Sequence, residues 1–109
     1  MTYDEIVSML EETRLPYAYD HFAEGESPAP PFLIFLFPSS SNFSADGRAY
    51  QKIDELHLEL YTDKKDPVAE AGLEAILDAH GFFYNKTEVW IPEEKLYEVL
   101  YSFEVIRTE

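Results

Sequence analysis

Leu56, Leu58 and Leu60 alternate with His57, Glu59 and Tyr61. Successive strand side chains point to opposite faces, so this pattern yields one dry and one wet face when the segment is extended. The strand reads from residue 50 to residue 61. Residues 96–106 have the same period, with Tyr97, Val99, Tyr101, Phe103 and Val105 sharing a face. Residues 32–37 are an unbroken apolar run, which suits a central strand buried on both faces. Two further strands are read at residues 17–22, where Tyr17, Tyr19 and His21 alternate with Ala18, Asp20 and Phe22, and at residues 82–91.

Two segments have helical spacing instead. Thr2 and Glu5 stand as N-cap and N3 of a capping box, and Tyr3, Ile6, Val7 and Leu10 recur on one face. Pro16 ends this helix, because the residue before proline avoids helical angles. Asp66 and Pro67 open the second helix as N-cap and N1, with Val68, Gly72 or Leu73, Ile76 and Leu77 as its apolar face. Gly81, after His80, closes it as the left-handed residue. Residues 24–31 are a turn-rich connection with three prolines, residues 38–48 a long polar loop with a turn at Asp46-Gly47, and residues 92–95 a turn. The order α-β-β-β-α-β-β is that of one α+β domain over residues 1–109. Its sheet is mostly antiparallel with about five strands, and hairpins join strands two to three and four to five.

Charge narrows the choice of partners. Lys and Arg number 8 against 22 Asp and Glu, a net charge of −14. Residues 1–47 hold one basic residue, Arg14, against eight acidic ones. Nucleic-acid affinity comes from Lys and Arg neutralising phosphates, so DNA or RNA is a poor specific partner, and anionic membranes are disfavoured for the same reason. The acidity keeps subunits apart in solution, or it forms a surface past which DNA slides without sticking. The first residues show no basic and apolar leader, and the apolar run at residues 32–37 is far below the ~20 residues a transmembrane helix needs, so a cytoplasmic site of synthesis is expected.

Catalytic and ligand-binding patterns are missing from the sequence. There is no Cys for a thiol nucleophile, disulfide or zinc-thiolate site. His21, His57 and His80 are far apart, and the four glycines have neither P-loop nor dinucleotide spacing. Asp63 and Asp66 flank two lysines like a cation site, but Asp66 is already a helix cap. Asp78 with Glu93 and Lys95 resembles a metal-dependent nuclease pattern, whose chemistry needs Glu and Lys on a strand beside the Asp; here both fall in a turn after Pro92. The expectation is a protein without enzymatic activity, cofactor or bound metal.

Aromatic residues point to protein contacts. The chain has eight Tyr, eight Phe and one Trp, most on strands where a core absorbs them. Phe82, Phe83 and Tyr84 cannot all be buried if extended, since neighbours point to opposite faces. Phe43 is a lone aromatic in a polar loop that is long for a hairpin connection. Phe43, Asp46, Arg48 and Phe83 are therefore the candidate subunit-interface residues, and the loop is expected to become ordered against a neighbouring copy.

Several stretches also resemble one family. Leu15-Pro16-Tyr17-Ala18-Tyr19-Asp20-His21-Phe22, Pro30-Pro31-Phe32-Leu33-Ile34-Phe35, Asn42-Phe43-Ser44-Ala45-Asp46-Gly47, Leu58-Glu59-Leu60-Tyr61-Thr62-Asp63-Lys64-Lys65-Asp66-Pro67 and Tyr97-Glu98-Val99-Leu100-Tyr101 together resemble short siphophage and prophage proteins of Gram-positive hosts, over nearly the whole chain. These are similar to tail-completion (tail-terminator) proteins. The resemblance implies a virion assembly protein at the head–tail junction, assembled in the host cytoplasm. It implies a homo-oligomeric ring, a hexamer, that caps the tail tube, contacts the tail-tube protein and the head connector or stopper, and lets the genome through its lumen without specific nucleic-acid binding. It carries over no catalytic residues. Two other readings stay open: a head-completion protein of the same interface, and a small cytoplasmic ligand-binding or adaptor domain.

Overall fold

The computed structural model describes residues 1–40, 43–45 and 48–108. Its elements run α1 (Tyr3–Glu11), β1 (Tyr17–Tyr19), β2 (Phe32–Ser40), β3 (Phe43–Ala45), β4 (Arg48–Thr62), α2 (Pro67–Ala79), β5 (Asn85–Ile91) and β6 (Leu96–Arg107). The strands lie in the order β1-β2-β4-β6-β5, with the short β3 paired to β4. β1 is parallel to β2, and the other pairs are antiparallel. This is the α+β arrangement expected from the sequence, with β3 added.

Local signals set both helix ends. The Thr2 hydroxyl accepts from the Glu5 N–H at 3.1 Å and the Glu5 carboxylate accepts from the Thr2 N–H at 3.3 Å, which completes the capping box. Asp66 accepts from the Ala69 N–H at 3.0 Å, with Pro67 following as N1. At the other end of α2, Gly81 has φ +78. The Phe82 N–H reaches the Leu77 carbonyl and the Gly81 N–H reaches that of Asp78, the paired bonds of a Schellman turn.

The sheet register puts the alternating residues into rows. Leu33, Leu60 and Val99 lie side by side across β2, β4 and β6, as do Phe35, Leu58 and Tyr101. Ile6, Met9 and Leu10 of α1 and Leu73 and Leu77 of α2 join the same hydrophobic cluster, so both helices cover one face of the sheet. Leu56, Leu58 and Leu60 are fully buried, each stabilising the fold by about 1.5–3 kcal/mol. On the other face, Phe32 and Ile34 are buried as well, so β2 is covered on both sides as its apolar run suggested. Phe22 packs edge-on against Phe32, and Phe32 stacks on Tyr61 with centroids 5.1 Å apart.

Several boundaries differ from the sequence reading. β1 stops at Tyr19, because Asp20 takes φ 65, a conformation that no strand continues. The stretch read as a polar loop at residues 38–48 is largely strand: Pro38, Ser39 and Ser40 extend β2, and β3 pairs back on β4. The register shifts between Leu36 and Ser39, where Pro38 has no N–H to give to a ladder. Val68 is 82% exposed and does not belong to the inner face of α2, whose buried residues are Glu70, Leu73 and Leu77. Residues 82–84 link α2 to β5 and are not strand.

β4 carries the long axis. Its 15 residues at ~3.3 Å each span about 50 Å, and the molecule measures 49 × 30 × 23 Å. The radius of gyration, 14.9 Å, exceeds the ~13 Å of a compact domain this long. Among the described residues, the hydrophobic cluster takes Leu56, Leu58 and Leu60 of β4 and reaches Val105 on β6.

Candidate subunit interface

Among the described residues, the sheet face opposite the helices is covered only near β2. Over β4 and β6 it presents Glu55, His57, Glu59 and Tyr61 beside Glu98, Leu100, Ser102 and Glu104. Four carboxylates therefore share one sheet face. The Tyr61 hydroxyl donates to Glu59 at 3.0 Å and to Glu98 at 3.4 Å. Burial, and then the charge of Glu98, raises the Glu59 carboxyl above its ordinary range, while burial followed by Glu59 and Glu98 pushes up the Tyr61 phenol. Glu55 is held low by the Ser39 hydroxyl, which donates to it at 2.6 Å, and then by His57 at 3.1 Å. An open trough of about 570 Å³ crosses this face between Ser39, Glu55, Ser102 and Glu104, with Phe82, Phe83 and Asn85 at its rim.

Of the four residues singled out in the sequence, Phe83 is the one whose side chain is described. It is 88% exposed. The Schellman turn aims Phe82 inward against Phe103, with centroids 4.6 Å apart, and leaves Phe83 facing solvent. Phe43 lies in β3, its backbone opposite Gln51, and Arg48 starts β4 opposite Ala45. The side chains of Phe43 and Arg48, and all of Asp46, lie outside the described residues.

Other exposed apolar groups escaped the sequence reading. Tyr19 and Tyr3 are about half exposed and meet edge-on at 6.2 Å where β1 borders the sheet. Val89 and Trp90 are 51% and 43% exposed on β5, the opposite edge. Strand order decides which strand is an edge, and periodicity carries no information about strand order.

Ion pairs tie β5 to α2. Lys86 donates to Glu70 and Glu74, each at 2.8 Å. Lys65 reaches Glu70 at 2.9 Å and also binds Glu88. The Tyr101 hydroxyl donates to Glu74 at 2.7 Å. Burial pushes Glu70 up, but hydrogen bonds from Lys86 and Lys65 more than reverse this and hold its carboxyl below the usual range. Lys86, by its bonds to Glu70 and Glu74, lowers Glu74, and its own ammonium is raised.

The residues weighed for chemistry are spread apart. Each histidine meets one neighbouring carboxylate: His21 with Asp20, His57 with Glu55 and His80 with Glu12. Asp66 is committed to its helix cap. Asp78 lies near the end of α2. β5 then runs back along that helix, so that Glu88 meets Lys65 before its start, and Glu93 and Lys95 lie in the turn beyond. Among the described residues no group of three His, Cys, Asp or Glu could hold a metal ion, and no helix is long and apolar enough to cross a membrane.

No family model matches the sequence, and no curated protein matches it. Among solved structures, the fold is similar to a chain in the virion of a native gene transfer agent particle, with a TM-score of 0.62 and 13% identity, over 90% of this chain and 82% of that one. At this identity the likeness is one of fold.

Proposed function

We propose that this chain is a phage-type virion structural protein without enzymatic activity. Within that class it is a tail terminator: copies form a hexameric ring that caps the tail tube, meets the head connector and leaves a lumen for the genome. The observation that supports this best is the fold shared with a virion chain over most of both molecules. The uncovered sheet face fits the role. Its four glutamates repel phosphate, so a lumen lined by it would let DNA pass without holding it.

Deleting the gene from the phage that encodes it tests the proposal. Electron microscopy of the lysate should show full heads and free tails that do not join, and a plasmid copy should restore virions. Normal, infectious particles from the deletion phage would refute the reading.

A further inference from the structure

Two pairs of like charges face each other across β4 and β6, one beside the last core residues and one at the end of the pairing. Lys52 lies directly opposite Arg107, and Glu55 directly opposite Glu104. Like charges in this position are unfavourable in an antiparallel pair. Positions 52 and 55 differ by an odd number, so the two pairs project from opposite faces of the same ribbon. One face of the ribbon therefore carries Lys52 and Arg107 beside Asp54, and the other carries the two glutamates, in a chain of net charge −14.

The fold neutralises these groups incompletely. Arg107 Nε meets Asp54 at 3.2 Å. Lys52 is exposed and has no ion-pair partner among the described residues, and Glu104 is in the same position. Glu55 has a hydroxyl and an imidazole beside it but, among the described residues, no lysine or arginine. Next to the acidic pair, Ile53 lies opposite Ile106, which is 50% exposed, and the trough gives the acidic face a concave floor.

We propose that this ribbon end is the joint between copies of the chain: the Lys52/Arg107 face of one copy docks on the Glu55/Glu104 face of the next, with Ile53 and Ile106 as the apolar contact. Docking like faces would set glutamate on glutamate or lysine on arginine. Complementary faces require a head-to-tail contact, and such contacts generate rings when their rotation closes. The joint rests on the ring reading and gives it a geometry.

Charge exchange tests it, read by sedimentation over a range of concentrations. Lys52→Glu and Glu104→Lys should each weaken self-association by about a hundredfold, because like charges are then juxtaposed. The double variant should recover to within about tenfold of wild type. An equimolar mixture of the two single variants should recover too, since their altered faces complement each other. Each reversal also turns a like-charged cross-strand pair into an opposite-charged one, so melting temperatures should be at or slightly above wild type; if a reversal unfolds the chain, Lys52→Gln and Glu104→Gln provide a milder set with about tenfold losses. Wild type that assembles while the single variants assemble equally well, or a double variant that does not recover, overturns the joint and leaves the ring reading standing. A wild-type chain that stays monomeric throughout overturns the joint as well. Normal virions from the deletion phage remove the ring reading itself.

Discussion

Lys86→Met should destabilise the fold through α2 and β5. The lysine bridges Glu70, which is 8% exposed, and Glu74, and its ammonium lies 5.9 Å from the centroid of the Tyr101 ring. Methionine keeps most of the stem and deletes the charge. Breaking a fully buried pair costs about 3–5 kcal/mol and an exposed pair about 0–1. The Lys86 side chain is 38% exposed and those of Glu70 and Glu74 are 10% and 26% exposed, and Glu70 keeps Lys65 while Glu74 keeps the Tyr101 hydroxyl. The loss should therefore be about 1–2 kcal/mol, a fall of roughly 5–10 °C in melting temperature. Urea, being uncharged, is the suitable denaturant. Lys64→Met is the control: Lys64 is exposed without an ion-pair partner among the described residues, and the change alters net charge equally. The pH dependence follows from the direction of the shifts. The Glu70 and Glu74 carboxyls are lowered on folding, so their contribution is present above the unfolded value of ~4.3 and lost as pH falls through the folded values. Lys86 is raised, so its contribution is present below ~10.4 and lost at higher pH. The gap between wild type and variant should be flat from about pH 5 to 10 and close in acid. Equal stability at pH 7, or a gap that survives unchanged at about pH 2, would refute the reasoning.

Leu58→Ala removes a fully buried side chain between Phe35 and Tyr101 and should cost about 2–5 kcal/mol by urea denaturation. Thr62→Val should be neutral or stabilising by up to about 1 kcal/mol, because the buried Thr62 hydroxyl has no hydrogen-bond partner among the described residues; a loss would show that the hydroxyl is bonded. Glu59→Gln should stabilise by up to about 1 kcal/mol at pH 7. The Glu59 carboxyl is raised on folding, so its protonated form is the favoured one, and the gain should vanish at about pH 3, where wild type is protonated too.

The parts of the fold legible in the sequence are those set by neighbours in the chain. The capping box at Thr2 and Glu5, the Asp66-Pro67 helix start and the left-handed Gly81 each depend on residues a few positions apart. The period-two rows of β4 and β6 were equally plain, because one face of each packs under the helices. Pairing over distance was not legible. Nothing local in Pro38, Ser39 and Ser40 shows that Glu55 and Asp54 will sit opposite the serines, or that residues 43–45 will fold back on β4. The buried face of α2 was misread for a related reason. Glu70 looks like a surface residue until Lys65 and Lys86 are brought to it, and Val68 looks apolar enough for a core that it never meets. The exposure of Phe83 was legible because three consecutive aromatics cannot all reach a core, although residues 82–84 form a connection and not the expected strand. The charge pairs across β4 and β6 were hidden, since residues 52 and 107 become neighbours only through register.

Antiparallel sheets commonly leave one face in water, and here that face carries four glutamates. Any cover over Glu55, Glu59, Glu98 and Glu104 would take four carboxylates out of water, which is costly unless the cover supplies cations. The Glu59 carboxyl already shows that strain, raised by partial burial and by Glu98 alone. Glu55, held low by Ser39 and His57, favours the folded state, whereas the raised Glu59 carboxyl opposes it. Local choices that oppose the fold mark positions where something other than folding selects the residue. On this face the two candidates act at different places. At the β4–β6 end, where Lys52 and Arg107 lie just behind the acidic pair, a second copy can bring the missing cations. Around Glu59 and Glu98 the described residues supply no lysine or arginine partner, and in the proposed ring that charge would keep phosphate away.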